Sequence, residues 1–74
     1  MKQLREPAVI ILNEQAAHLA RRIAAHVGGS VHGLKGRVSA ADHGFEATGE
    51  AIRALFLAGH PVIAVMASGA LIRI

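Results

Sequence analysis

Two short runs of apolar residues, rich in β-branched side chains, constrain the fold of this chain more than any other feature of its sequence. They occupy residues 7–12 and 62–66. Continuous apolar runs of this length are typical of strands that are buried on both faces of a parallel sheet. A further strand is predicted at Ser30–Leu34. It is expected to be weaker, because this segment is short and contains a glycine.

A helix is predicted between the first two strands. Over residues 14–27, apolar side chains recur every three or four positions and form one helix face, which consists of Ala16, Leu19, Ala20, Ile23, Ala24 and Val27. Asn13 is a suitable N-cap, since its side-chain oxygen can accept from the first free N–H groups. Gly28 and Gly29 predict the end of the helix, because glycine adopts the left-handed conformation without strain.

A second helix is predicted over residues 45–58, with an apolar face made of Phe45, Thr48, Ile52, Leu55 and Phe56. It should end at Gly59, since Pro61 disfavours a helical conformation at the residue before it. The segment between the helices, residues 35–44, is polar and rich in turn formers, and it is expected to be irregular and exposed. After the last apolar run, residues 67–69 are predicted to turn and residues 70–74 to begin a third helix.

The alternation of strands and helices predicts an α/β fold. We expect residues 1–74 to form a single small three-layer βαβαβ(α) domain, with a short parallel sheet and helices on its faces. The crossover connections should be right-handed.

Composition restricts the possible chemistry and location. The chain has no cysteine, which excludes disulfides and thiolate metal sites. Its apolar runs are too short for a signal peptide or a membrane span, so we expect a cytoplasmic protein that does not bind membranes. Hydrophobic residues make up 53% of the chain. Such a high share predicts either an unusually apolar core or a surface that is buried against another domain or in a homo-oligomer.

The charge balance is mildly basic, with eight Lys and Arg against five Asp and Glu. A basic surface favours anionic partners. Nucleic acid is not expected among them, because the cations are scattered along the chain and there is no Trp or Tyr on which bases could stack.

The five histidines raise the question of a metal site. His18 and His26 lie about 12 Å apart along one helix, too far to share an ion, and no pair has the four-residue spacing of helical zinc sites. We therefore predict no metal. We also predict no catalytic residue, since no nucleophile can be related by spacing to Asp42 and His43.

The turn after the last strand is the preferred candidate for a binding site, because ligands of open α/β sheets bind outside the carboxyl ends of the strands. Gly69 would let a ligand approach the backbone, and Ser68 offers a hydroxyl group. The free N–H groups of a following helix would attract an anion, and Arg73 could bind a carboxylate or phosphate. The alternative is that Ser68 is only an N-cap, Gly69 only a packing residue and Arg73 only solvated.

The stretch "GHPVIAVMASGALIRI", residues 59–74, resembles the N-terminal domain of the CbiG family, the cobalt-precorrin-5A hydrolases of cobalamin (vitamin B12) biosynthesis. That family has an apolar strand, then Met-Ala-Thr/Ser-Gly, an apolar step and an arginine before another apolar residue. The preceding segment "GEAIRALFLAGH" is similar as well. The family continues with an Ala-Pro segment and a Gly-His-Gly-Gly-like loop, so the resemblance implies that this chain is the opening part of a longer protein.

The resemblance implies a role in porphyrin metabolism, as a surface for a precorrin or cobalt-precorrin intermediate and next to a downstream catalytic domain of the same protein. The parent enzyme would be the hydrolase, which opens a lactone on the ring, or a fusion with precorrin-3B C17-methyltransferase. No cofactor is expected in this domain, and S-adenosylmethionine would enter only with the methyltransferase. Activity of the domain alone is not expected. Two alternatives remain open: a non-catalytic structural or dimerisation module, and a stand-alone anion- or nucleotide-binding module.

Overall fold

The structure, a computed structural model, describes residues 5–39 and 41–65, and the backbone of residues 71–73. Five strands and two α-helices follow one another as β1 (Ala8–Ile11), α1 (Ala17–Val27), β2 (Ser30–Leu34), β3 (His43–Phe45), α2 (Thr48–Leu57), β4 (Val62–Val65) and β5 (Leu71–Arg73). Neither helix has the length and apolarity that crossing a lipid bilayer requires.

The strands form one sheet in the order β3-β2-β1-β4-β5. The first four strands of that order are parallel, and β5 runs antiparallel to β4. Ile10 of β1 lies between His32 of β2 and Ala64 of β4, so β1 is hydrogen-bonded on both sides. The predicted α/β class with a short parallel sheet is confirmed.

Helix α1 covers one face of the sheet. Val9, Ile11, Val31 and Val65 point to this face and share a buried cluster with the small residues of α1, which are Ala17, Ala20 and Ala24. Alanines let the helix approach the sheet closely, while the valines and isoleucines contribute about 1.5–3 kcal/mol each through burial.

The opposite face carries Ala8, Ile10, Val62 and Ala64, which are also buried. Helix α2 packs against β4. The connections through α1 and α2 cross the sheet in opposite directions, so the right-handed rule puts the two helices on opposite faces. This arrangement gives the three layers that the sequence predicts.

The predicted ends of the first helix are largely confirmed. A short 3-10 turn, Glu14–Ala16, precedes α1, and the Asn13 side chain caps it by accepting from the Ala16 N–H at 3.1 Å. Gly28 ends α1 in the left-handed conformation, with φ of 72°. The N-cap and the C-terminal glycine therefore fix where the chain leaves β1 and where it enters β2.

The prediction for the second helix was wrong at its start. Phe45 belongs to β3, which pairs with β2, and α2 begins only at Thr48. The predicted apolar face was also wrong at Phe56, whose side chain is exposed. The edge of β2 offered free backbone groups, and pairing with them outweighed the local helical periodicity.

The predicted third helix was also wrong. Leu71–Arg73 is a strand that pairs with β4, with Leu71 opposite Val65 and Arg73 opposite Ile63. An extended segment satisfies its backbone on the free edge of β4, and this pairing outweighed the predicted helical conformation.

A substitution of Gly33 in β2 would test how closely the following loop packs on the sheet. A Cβ atom at this position would lie 2.6 Å from the Cβ of Val38 and 3.0 Å from that of Ala41. We expect Gly33→Ala to displace the loop and to lower the free energy of unfolding by about 1–3 kcal/mol, as measured by chemical denaturation.

Gly49→Ala is the matched control, because a Cβ at Gly49 has no atom within 4 Å. Gly49 lies in α2, so this change should leave stability unchanged or raise it by up to about 1 kcal/mol. Equal stabilities of the two variants would contradict the close contact between Gly33 and the loop.

Candidate functional site

The order of the strands creates a topological switch between β1 and β4. From β1 the chain proceeds through α1 to β2 on one side, and from β3 it returns through α2 to β4 on the other side. Ligands of open α/β sheets bind in the crevice outside the carboxyl ends of the strands at such a point. The carboxyl edge of β1 and β4 is therefore the part of this sheet that is best suited to a ligand.

Two of the three predicted site residues closely follow β4 in the sequence. Ser68 and Gly69 come three and four residues after Val65, the last residue of β4, and they lie outside the described residues. Their proposed contacts with a ligand stay predictions.

Arg73 lies in β5, not about one turn into a helix as predicted. Its Cα is paired with Ile63, two residues before the end of β4. This places its backbone about 7 Å back from the carboxyl edge. The helix N-terminus that was expected to attract an anion after residue 70 is therefore replaced by a strand.

The turn after β1 bears on the nucleotide-binding alternative. It has no glycine between Leu12 and Ala16, and it carries the carboxylate of Glu14 in the first helical turn. Phosphate-binding turns contain glycines, which let the ligand approach the backbone closely. In these turns the negative charge at the helix N-terminus is that of the bound phosphate, not that of a side chain. This turn therefore disfavours a dinucleotide.

A surface cavity of about 320 Å³ opens beside this turn, lined by Glu14 and by Gly36, Arg37, Val38 and Ser39. Glu14 follows β1 and the other four residues follow β2, so the cavity lies at the carboxyl edge of the sheet. The Glu14 carboxylate accepts hydrogen bonds from both the backbone N–H and the hydroxyl of Ser39.

This cavity was not predicted, because residues 35–44 were expected to form only an irregular, exposed loop. One usable signal was present: polar residues follow both β1 and β2, and the carboxyl ends of neighbouring parallel strands meet at one edge. The segment is also more regular than expected, since His43 and Gly44 belong to β3. Asp42 ties it to β2 by accepting from the Val31 N–H at 2.8 Å.

Two histidines meet on the α2 face of the sheet. His32 of β2 and His43 of β3 are paired in register, and their ring centroids lie 4.7 Å apart. His32 Nε2 also forms a hydrogen bond of 3.1 Å with Ser30 Oγ. Sequence spacing could not reveal this pair, because it depends on β3. Within the described ranges, no three His, Asp or Glu side chains are grouped so that they could hold a metal ion.

The environment of His32 disfavours its charged form. Partial burial lowers the pKa of His32 below its ordinary value of 6.5, and the nearby His43 and His60 lower this pKa further. The carboxylates of Glu6 and Asp42 act in the opposite direction without reversing the shift. The folded protein therefore holds His32 neutral at a pH where the unfolded chain already binds a proton.

This difference predicts that acid destabilises the fold. Because the unfolded chain binds more protons, the contribution of neutral His32 to stability is complete above about pH 6.5 and declines as the pH falls from 6.5 toward the lowered pKa of the folded state. His32→Gln should flatten the decline between pH 7 and pH 5, measured by urea denaturation at each pH. His18→Gln, at an exposed position on α1, should keep it. The same pH slope in both variants would contradict this assignment.

No protein-family model, curated protein or solved structure matches this chain. Its similarity to the cobalt-precorrin-5A hydrolases therefore stays a prediction from residues 49–74. Structural support for a function comes from the sheet order and from the side chains at the carboxyl edge.

Proposed function

We propose that this chain is the N-terminal domain of a cobalamin-pathway enzyme and binds the carboxylates of a precorrin or cobalt-precorrin at the carboxyl edge of its sheet. The observation that carries the proposal is the topological switch between β1 and β4. The segment that most resembles the CbiG family, with Ser68 and Gly69, comes directly after β4 in the sequence.

The chemistry of the ligand suits the charge of the domain. Precorrins bear several acetate and propionate side chains and are therefore polyanions. The chain has a formal net charge of +3, which favours association with a polyanion. Arg73 is the proposed carboxylate contact, since a guanidinium can bind a carboxylate through two parallel hydrogen bonds.

In this proposal the domain binds and orients the ligand and has no activity alone. The reaction belongs to a downstream domain of the same cytoplasmic protein, either a cobalt-precorrin-5A hydrolase or a precorrin-3B C17-methyltransferase. S-adenosylmethionine is needed only in the second case.

A melting experiment tests the proposal. Addition of cobalt-precorrin-5A or precorrin-3B should raise the melting temperature, because a ligand that binds only the folded state stabilises it. Arg73→Ala should weaken binding by about 1–3 kcal/mol through the loss of a charge-assisted hydrogen bond. Arg22→Ala, which removes the same charge from the exposed surface of α1, should bind like the unchanged protein. No shift with either compound would overturn the proposal.

A second candidate function, a dimerisation module, is favoured by the C-terminal end of α2. Phe56 and Leu57 are neighbours there, and they remain 59% and 71% exposed. Adjacent large apolar side chains on a surface are typical of association sites.

Light scattering over a range of concentrations tests this second candidate. The unchanged protein should form dimers, and Leu57→Glu should shift the equilibrium toward monomers by placing a charge in the contact. Ala25→Glu adds the same charge at an exposed position of α1 and should have no such effect. A monomer at every concentration would exclude the dimerisation module.

A further inference from the structure

The loop after β2 already binds a carboxylate, and that carboxylate comes from the protein itself. The backbone N–H and the hydroxyl of Ser39 both donate to Oε1 of Glu14. Two donors on one residue that converge on an ionised oxygen form charge-assisted hydrogen bonds, which are stronger than those between neutral groups. The two donors of Ser39 are thus arranged so that they can bind a carboxylate.

The segment that carries Ser39 is held in place by its own backbone. The N–H groups of Arg37 and Val38 both donate to the carbonyl oxygen of Leu34, at 3.0 and 2.9 Å. Gly36 has φ of 83°, a left-handed value that glycine adopts without strain. Val38 packs against the buried cluster under α1. A ligand would therefore meet a segment that is already ordered, which reduces the entropic cost of binding.

Arg37 supplies a positive charge to the same cavity. Its side chain is exposed and lines the cavity together with Ser39. The other cation of this loop, Lys35, forms an ion pair with Glu46 at 3.7 Å, whereas no ion pair joins Arg37 to another described residue. A guanidinium beside two neutral donors is an arrangement that suits a carboxylate.

The cavity lies near the switch point between β1 and β4, on the same edge of the sheet. Strand β2 lies two strands away from β4 in the sheet, which corresponds to about 10 Å at the carboxyl edge. A macrocycle with carboxylate arms on several sides is wider than one strand spacing. One arm could therefore reach this cavity while another lies at the carboxyl end of β4.

We propose that residues 36–39 form a carboxylate-binding site at this edge, with Arg37 and Ser39 as its contacts and Glu14 as a built-in competitor. A carboxylate of the ligand displaces Glu14 from the two Ser39 donors and forms an ion pair with Arg37. The identity of the ligand as a corrin intermediate rests on the function proposed above, whereas the carboxylate chemistry rests on the cavity.

The two charged residues of the cavity are expected to act in opposite directions. Glu14→Gln and Glu14→Ala should tighten carboxylate binding several-fold, because each removes the competing negative charge. Arg37→Ala should weaken binding by roughly 10- to 100-fold, the loss expected for one charge-assisted bond. Arg37→Lys should retain part of the affinity, since it keeps the charge but not the paired N–H groups.

Isothermal titration with two probes tests this site, using cobalt-precorrin-5A and citrate, a simple tricarboxylate. Amide chemical shifts of residues 36–39 report whether the probe binds at the cavity. Arg22→Ala is the control for the loss of one positive charge. Because Glu14 and Arg37 are both exposed, their variants should fold, and a melting curve of each variant checks this.

The outcomes separate the site from the proposed function. Opposite effects of the Glu14 and Arg37 variants on both probes support both proposals. The same opposite effects with citrate alone support the carboxylate site and exclude cobalt-precorrin-5A as its ligand. Binding of cobalt-precorrin-5A that is equally strong in Arg37→Ala and Arg22→Ala, or tightened by neither Glu14 variant, overturns the site and leaves the proposed function standing. If neither probe binds, the site is overturned.

Discussion

Strand β1 is the constraint on which the rest of the structure depends. It is hydrogen-bonded to β2 on one side and to β4 on the other, and none of its four residues is more than 2% exposed. A strand in this position has no polar face, so every residue must be apolar. In a chain of 74 residues, which can bury only a modest share of its surface, this strand joins the two buried faces of the sheet.

The candidate functional features also derive from β1. The switch point lies between its carboxyl end and that of β4, and the turn that follows it carries Asn13 and Glu14. Asn13 caps the helix, while Glu14 reaches across to a segment 25 residues further along the chain. Strand β1 thus lies between the carboxyl end of β2, next to the cavity, and that of β4. A strand that is hydrogen-bonded on both sides keeps the distance between these two ends fixed.

The sequence predicted those elements whose cause is local. Strand β1 follows from its run of apolar residues, α1 from its periodicity and Asn13, and the end of α1 from Gly28. Strands β3 and β5 were missed because three residues each carry little local preference. Each is extended because a neighbouring strand offers free backbone groups. Pairing between segments that are distant in sequence cannot be derived from the periodicity of either one.

In the candidate site, too, locally determined features could be predicted, whereas those that depend on contacts between distant segments could not. The choice of the carboxyl edge as the candidate site could be made from the order of elements, which was correct up to β4 except for the missed strand β3. The contact between Glu14 and Ser39 and the pairing of His32 with His43 could not, because both depend on where residues 35–45 lie. The predicted anion site at the start of a third helix was wrong, because a strand replaces that helix. Attraction of an anion must therefore come from charged side chains rather than from helix N–H groups.

The thin packing of α2 has a consequence for the dynamics of the domain. None of its residues is fully buried, so its detachment from the sheet exposes far less apolar surface than global unfolding does. Regions with few buried contacts open locally at a fraction of the global free energy. Amide hydrogens of α2 should therefore exchange with solvent through such partial openings, while those of β1 exchange only when the whole domain unfolds. Such openings would expose the side of β4 against which α2 packs, while the neighbouring strand β1 stays protected.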